Sequence, residues 1–502
     1  MKKVIIVGAG TAGLGAAVRL AAAGYEVEVF EKNPEVGGKM YQIRQEGYRF
    51  DVGPTLVMMP EIYESVFEAA GTDPGDYIPM TRLEPMYKVF FNRKDFPGYA
   101  VSGDLVALTA MLEGRSPETA RGFYAYLAEI YKRYRVAYDH FIRRPFRSWR
   151  DIYNPRMLKK AYELKTFSSA EGMMARFIKD PDVQQMMSFQ TLYIGVSPKK
   201  GPSLYNIIPM IELLYGVWTI KGGMHTMAES MARVLEELGG RIHLNTPVEE
   251  ILIEGGKVRG VRAGGADHEA DYVISNGDFP YTMKHLIRDR KDKGKYTDEK
   301  IDRMDYSCSC LVFYWGMSRS YPEADMHTFI VSSNLEDNLD RIFDGRYIPD
   351  ASVYLSIPSR GDASMAPEGK DAFYVLIPVS ELSTAKYEFD EEMVGRYREQ
   401  ALEKLSKMPG LENVREEIVC ETVMRPQDFK ERFNAYHGAT FGLQPTLRQS
   451  NHWRPQAKSK AVEGLYFCGS SVHPGAGVPI ALESGKIAAE ELRRDEPGDS
   501  FR

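Results

Sequence analysis

The first thirty-one residues constrain this chain more than any other stretch. Val4-Ile5-Ile6-Val7 is an apolar run rich in β-branched residues, as a buried parallel strand requires. Gly8-Ala9-Gly10-Thr11-Ala12-Gly13 follows at once and fits GxGxxG. A helix of small residues is predicted from about Ala12 to Ala23, with Gly24 at its stop position. Residues 25–30 then alternate as a second strand, and Glu31 ends it. Each part has a physical task. Gly8 allows the tight turn, Gly10 lets a pyrophosphate approach the backbone, and Gly13 permits close helix–strand packing. The helix start offers free N–H groups to phosphate. The Glu31 carboxylate suits a ribose 2′-hydroxyl and repels a 2′-phosphate. Strand, glycine loop, helix, strand and acid in register predict an α/β fold that binds a dinucleotide.

Two further glycine elements follow. Glu31-Lys32-Asn33-Pro34-Glu35-Val36-Gly37-Gly38-Lys39-Met40 resembles the ExxxxxGG(R/K) element of the large flavoprotein oxidase and desaturase superfamily, with Lys39 where many relatives carry Arg. Asp51-Val52-Gly53-Pro54-Thr55 resembles its DxGP(T) turn. Near the other end, Gly464 to Gly469 reads as a turn and buried strand, and a loop and a helix from about Ile480 to Arg494 come after it. That loop contains His473-Pro474-Gly475-Ala476-Gly477-Val478-Pro479, which, with Ser484-Gly485 beyond it, resembles the signature of bacterial-type carotenoid desaturases. Val472 departs from the small Thr or Ala common there. Residues 189–195, 201–212 and 441–447 are similar to the dehydrosqualene (4,4′-diapophytoene) branch of that family.

The resemblance implies FAD as cofactor. It implies contacts to FAD from Gly8, Gly10, Thr11, Ala12, Gly13, Glu31, Lys32, Gly38, Lys39, Met40, Gly53, Pro54, Thr55, Val248, Asn276, Gly469, Gly477, Val478, Pro479 and Ala481. It also implies a discontinuous organisation. Residues 1–95, 220–295 and 450–502 are expected to form a Rossmann-like FAD-binding domain, and 96–219 and 296–449 an α+β substrate domain with a helical membrane-facing part. The implied reaction is desaturation of a linear C30 polyene. A hydride leaves an allylic CH2 for the flavin and a proton leaves the adjacent carbon, with oxygen or a quinone as final electron acceptor. A C40 phytoene desaturase, a terminal carotenoid oxidase and an amine-oxidase-like enzyme are the enzymatic alternatives. A non-catalytic prenyl-binding escort protein is the alternative from another class, and the intact glycine loop argues against it.

Composition enters where partners are concerned. No stretch has the roughly 18 consecutive apolar residues that a membrane-spanning helix needs. The apolar run after Met1-Lys2-Lys3 carries Gly8, Gly10 and Gly13 and reads as strand and turn, not as a signal peptide. The net charge of −6 gives no chain-wide basic footprint for nucleic acid. Residues 121–160 depart from that average. They hold eleven Lys and Arg against three acids, and ten aromatic residues. Two readings fit: a solvated helix with its rings packed inward, or a basic-aromatic surface on an anionic membrane. A lipid-dissolved substrate favours the second, with the protein on the inner face of the cell membrane as a monotopic cytoplasmic enzyme.

Other residues have competing readings. Ser148-Trp149-Arg150-Asp151 resembles the SFRD segment of phytoene desaturases, which makes Arg150 and Asp151 acid–base candidates; a surface ion pair is the plain alternative. His473 is either catalytic or a turn-stabilising residue before Pro474. Cys308 and Cys310 are expected to be small core residues, and four cysteines in all offer neither a disulfide framework nor a zinc set, so no metal is expected. The charge-dense stretch 288–300 reads as a solvated surface loop.

Overall fold

The computed structural model describes residues 1–151, 153–164, 168–199 and 201–496. Ile152, inside the basic-aromatic stretch, and 497–502, the end of the third expected FAD-domain stretch, lie outside the described residues.

Two sheets organise the chain. The first is parallel and five-stranded, in the order Leu465–Phe467, Tyr272–Ser275, Lys3–Val7, Glu26–Phe30, Arg241–His243. All five strands come from the three stretches expected to build the FAD-binding part. The central strand is almost completely buried, which accounts for its unbroken apolar run. The helix Thr11–Ala22 begins directly after the glycine loop and packs against the C-terminal helix Val478–Asp495. Their close approach depends on Gly485, where any Cβ would overlap the Ala12 carbonyl. Pro479 sits in the first turn of that last helix, as a missing N–H permits, and Arg493 and Arg494 occupy its last turn.

The second sheet has seven strands, in the order Ile418–Met424, Ser309–Met317, Ala372–Val379, Val353–Ser356, His327–Val331, Tyr87–Phe91, Gly98–Val101. Its pairs are antiparallel except His327–Val331 with Tyr87–Phe91. Ser309–Met317 is buried along its whole length, so Cys310 is a core residue, as is Cys308 just before it.

Residues 121–160 fall on the helix Pro117–Ala137, a π turn Tyr138–Ile142, a 3-10 turn Trp149–Asp151 and the start of the helix Pro155–Leu164. Phe123, Tyr126, Tyr134, Phe141 and Phe146 are buried, whereas Arg121, Lys132, Arg135, Arg143, Arg144, Arg147, Arg150, Arg156 and Lys159 are exposed. Most rings therefore turn inward and most cations outward, as helical periodicity dictates. Tyr131 and Tyr153 remain exposed. The stretch 288–300 is not a simple loop. Arg290–Lys293 forms a 3-10 turn and Asp298–Asp302 a helix, and buried Lys293 reaches Asp298 at 2.7 Å. That ion pair folds the segment back on itself, which charge density alone does not reveal. No described helix is long and apolar enough to cross a membrane.

Candidate functional site

A continuous cavity of ≈ 720 Å³ joins the two halves of the protein. One end is the glycine loop. Gly8 adopts a positive φ of 93°, and its carbonyl accepts a hydrogen bond from Asn276 Nδ2 at 3.1 Å. A Cβ on Gly10 would sit 2.8 Å from that same nitrogen, so the loop has room for backbone only. Gly13 lies beneath the loop, and its Cβ would overlap the Gly8 carbonyl. Glu31 is buried at the end of its strand. One oxygen accepts the Ala9 N–H at 2.8 Å and the other the Asn33 backbone N–H at 2.9 Å. The acid thus shapes the loop as well as facing the cavity, with lone pairs left for a ribose.

The remaining expected cofactor contacts converge on the same space. Thr11, Ala12, Lys32, Gly38, Lys39, Met40, Gly53, Pro54, Thr55, Val248, Asn276, Gly469, Gly477, Val478, Pro479 and Ala481 all line the cavity. Of the expected set only Gly13 does not, being under the turn. Lys32 is partly committed elsewhere, since its ammonium donates to Glu431 O at 2.7 Å and Asn434 Oδ1 at 2.9 Å. Lys39 is half-buried and donates to Thr440 O at 2.6 Å. Desolvation pushes its pKa down, against the attraction of Asp278. Asp278 is pushed up by burial, partly offset by Lys39 and by hydrogen bonds from Ser471 Oγ at 2.6 Å and the Tyr436 N–H at 2.9 Å.

Sequence reasoning missed three contributors. Asp278 and Arg432 line the cavity, and the Arg432 guanidinium lies 3.7 Å over the Tyr41 ring. The third, Arg454, is fully buried and meets backbone carbonyls in place of carboxylates: Leu443 and Gln449 at 3.1 Å each, Ser470 at 2.6 Å and Val472 at 3.3 Å. Burial pushes its pKa down to about 10, so it stays charged. It thereby fastens the glycine-rich loop after residue 469 to the segment that closes the cavity at 445–451. The strand-end position of Asp278 was a usable signal, whereas an arginine bonded to carbonyls leaves none.

The three acid–base candidates separate. Arg150 and Asp151 are exposed on their 3-10 turn and do not line the cavity, and Asp151 accepts the Ser148 N–H at 2.7 Å. Local hydrogen bonding turns that segment outward. His473 does line the cavity and is buried. Its Nε2 lies 2.9 Å from the Arg144 carbonyl, which can only accept, so Nε2 carries the proton and Nδ1 is a bare lone pair without a partner among the described residues. Burial lowers its pKa from 6.5 to about 4. The folded state therefore binds this proton less well than the unfolded chain. The stability tied to it is complete above about pH 6.5 and is lost as pH falls through about 4. Unfolding free energy in urea should drop by up to about 1.4 kcal/mol per pH unit over that window on account of His473. Asn in place of His473 should remove that share of the slope; an unchanged slope would contradict the assignment.

Beyond the glycine loop the cavity becomes apolar, lined by Phe189, Leu192, Ile194, Ile207, Ile208, Ile211, Phe329, Ile330, Val331 and Leu335. Among the described lining residues, the carboxylates and cations are Glu31, Lys32, Lys39, Asp278 and Arg432, all on the segments around the glycine loop. The arrangement offers a phosphate and ribose cradle at one end and a dry slot for a long apolar molecule at the other.

The family of flavin containing amine oxidoreductases matches residues 11–493. The chain is 41% identical over 496 residues to a protein of Staphylococcus haemolyticus named 4,4′-diapophytoene desaturase (4,4′-diaponeurosporene-forming), covering 98% of this chain and 99% of that one. It is 41% identical over 498 residues to the protein of that name from Staphylococcus aureus strain Newman, with 98% and 99% covered. Its fold is similar to that of putrescine oxidase bound to putrescine, at a TM-score of 0.64, 16% identity and 98% of each chain covered.

Proposed function

Because this chain belongs to the carotenoid desaturases within the flavin-containing amine oxidoreductase family, we propose that it desaturates a linear C30 isoprenoid polyene, 4,4′-diapophytoene, with FAD as cofactor. The carrying observation is the continuity of the glycine cradle with an apolar slot that has no carboxylate among its described lining residues. An ammonium substrate would need such a group. Glu31 and Asp278, the described carboxylates on the lining, lie on the segments around the glycine loop and not among the apolar residues of the slot.

The residues fit FAD. The Gly8–Gly13 loop would admit phosphates, Glu31 a ribose, and the segments 37–40, 53–55 and 475–481 the rest of the molecule. Bound there, FAD supplies the hydride acceptor, and the protein supplies alignment and dryness. Residues 1–95, 220–295 and 450–502 constitute the FAD-binding domain in this reading, and 96–219 with 296–449 the substrate domain. The five-stranded sheet drawn from the first three stretches supports that division. The polyene slides along the apolar slot until an allylic CH2 is in place. Hydride loss leaves a cation whose neighbouring C–H is strongly acidic, so a weak base suffices for the second step. His473, the one imidazole among the described lining residues and held neutral by burial, is the base this reading assigns to that proton. A double bond results, and oxygen or a quinone removes the electrons.

Co-expression with a diapophytoene-producing strain should give yellow to red polyenes, and a phytoene-producing strain should stay pale. Flavin-loaded protein that colours neither strain would overturn the proposal.

The same substrate implies a membrane surface. Leu447 lines the cavity yet is 47% exposed, and Trp453, 50% exposed, meets the exposed Tyr153 ring at 6.5 Å. The outward cations of 121–160 surround Tyr153 in sequence. Aromatic rings in the interface with cations at the headgroups is the expected monotopic arrangement. The protein should float with anionic liposomes at low salt. Tyr153→Ser combined with Trp453→Ser should reduce the floated fraction several-fold, and an unchanged fraction would count against this face.

A further inference from the structure

A hydrogen-bonded chain leads from the cavity wall into the seven-stranded sheet. Thr55 and Tyr354 both line the cavity. Their hydroxyl oxygens are 2.6 Å apart, and Tyr354 Oη lies 2.8 Å from Nδ1 of His327. His327 is fully buried, on a strand whose register pairs it with Ser356. Its Nε2 has no hydrogen-bond partner among the described residues. The Ser356 hydroxyl flanks the phenol without making a hydrogen bond of good geometry.

The direction of this chain follows from His327. Burial pushes its pKa down to about 3, so the imidazole is neutral and carries one N–H. At Nε2 that N–H would be a buried donor with no acceptor, the rarest kind of unsatisfied group. At Nδ1 it donates to Tyr354. Every later bond is then determined. Tyr354 has a single proton, burial keeps it on the phenol, and the Thr55 oxygen is its acceptor. Thr55, having received, is left with its own proton and faces the cavity.

We propose that His327, Tyr354 and Thr55 form a one-way donor chain that presents a directed hydroxyl donor to the cavity, and that its acceptor is the electron-rich edge of the FAD ring system. A hydrocarbon polyene has no lone pair to accept it. The acceptor's identity rests on the FAD-desaturase reading, whereas the chain's direction does not. Thr55 belongs to the Gly53 turn, which packs so tightly that a Cβ on Gly53 would lie 2.5 Å from the Lys39 carbonyl, so the donor is held by backbone on the cofactor side. Thr55 is the contacting group; Tyr354 and His327 position it. A donor at that edge favours the electron-richer, reduced flavin.

The test uses purified, flavin-loaded protein equilibrated with a reference dye. At a fixed potential the ratio of reduced to oxidised flavin should fall about tenfold in Thr55→Val and in Tyr354→Phe, which corresponds to about 30 mV for a two-electron couple. Thr55→Ser should retain the wild-type ratio. Unchanged ratios in both variants overturn the proposal. Nitrogen-15 shifts of the histidines give a second readout, independent of turnover and of cofactor. His327 should be protonated at Nδ1 in the wild type, and protonation at Nε2 overturns the chain's direction. Wild-type protein that binds no FAD overturns the desaturase reading itself, while the nitrogen shifts still decide the chain.

Discussion

Replacing Gly13 with alanine is expected to give a protein that no longer retains FAD through purification. The added Cβ would overlap the Gly8 carbonyl oxygen and sit 2.8 Å from Asn276 Nδ2. Those two groups are joined by the 3.1 Å hydrogen bond that fixes the loop. The Gly8 carbonyl is backbone and cannot swing aside, so the loop must open and the helix Thr11–Ala22 must shift from its strand. Overpacking of this kind costs about 1–3 kcal/mol in stability. The larger effect is on the cradle, because a phosphate-binding loop works only with its N–H groups aimed together. Flavin absorbance per mole of protein should fall at least tenfold. Gly114→Ala is the control. It lies within the helix Leu105–Arg115 with open space around it, and should leave flavin content unchanged. Full flavin retention in Gly13→Ala would show that the loop geometry described here does not govern binding.

The second large effect is expected at Arg454. Methionine there approximates the stem and removes the donors, leaving the carbonyls of Leu443, Gln449, Ser470 and Val472 without them in a buried region. Each unsatisfied group costs about 1–3 kcal/mol, and relaxation recovers part of the sum. A net loss of about 4 kcal/mol is expected in urea unfolding, with reduced flavin content because Ser470 and Val472 belong to the loop before the C-terminal helix. Arg454→Lys should recover only a minor part. An ammonium is a point donor and cannot span four carbonyls as the planar fork does. A lysine variant as stable as wild type would mean that charge, and not fork geometry, holds the segments together.

These two sites also show what the sequence made legible. The Gly13 environment was readable because its causes are local: strand, turn and helix follow one another within a few residues, and glycine spacing reports backbone crowding directly. The distant contacts came from motif resemblance, and nearly all of them line one cavity, from Gly38 and Gly53 to Asn276 and Gly477. Arg454 was silent because its partners are main-chain atoms, which carry no residue identity. Arg150 and Asp151 had a motif but not the position, since their turn faces outward. The basic-aromatic stretch was ambiguous in sequence for a related reason. Composition counts rings and charges, and only helical phase decides that Phe123 and Tyr126 point inward while Tyr131 does not.

The order of strands in the parallel sheet has a consequence for synthesis. Strand Leu465–Phe467 is the partner of Tyr272–Ser275, which in turn is the partner of Lys3–Val7. The ribosome must therefore travel from Val7 to Phe467 before the sheet acquires its last edge, roughly 20–90 s at about 5–20 residues per second. The Gly8–Gly13 loop, which in our proposal holds the phosphates, is made long before the 469–481 segment that lines the same cavity. In that proposal FAD capture awaits the synthesis of residues 469–481.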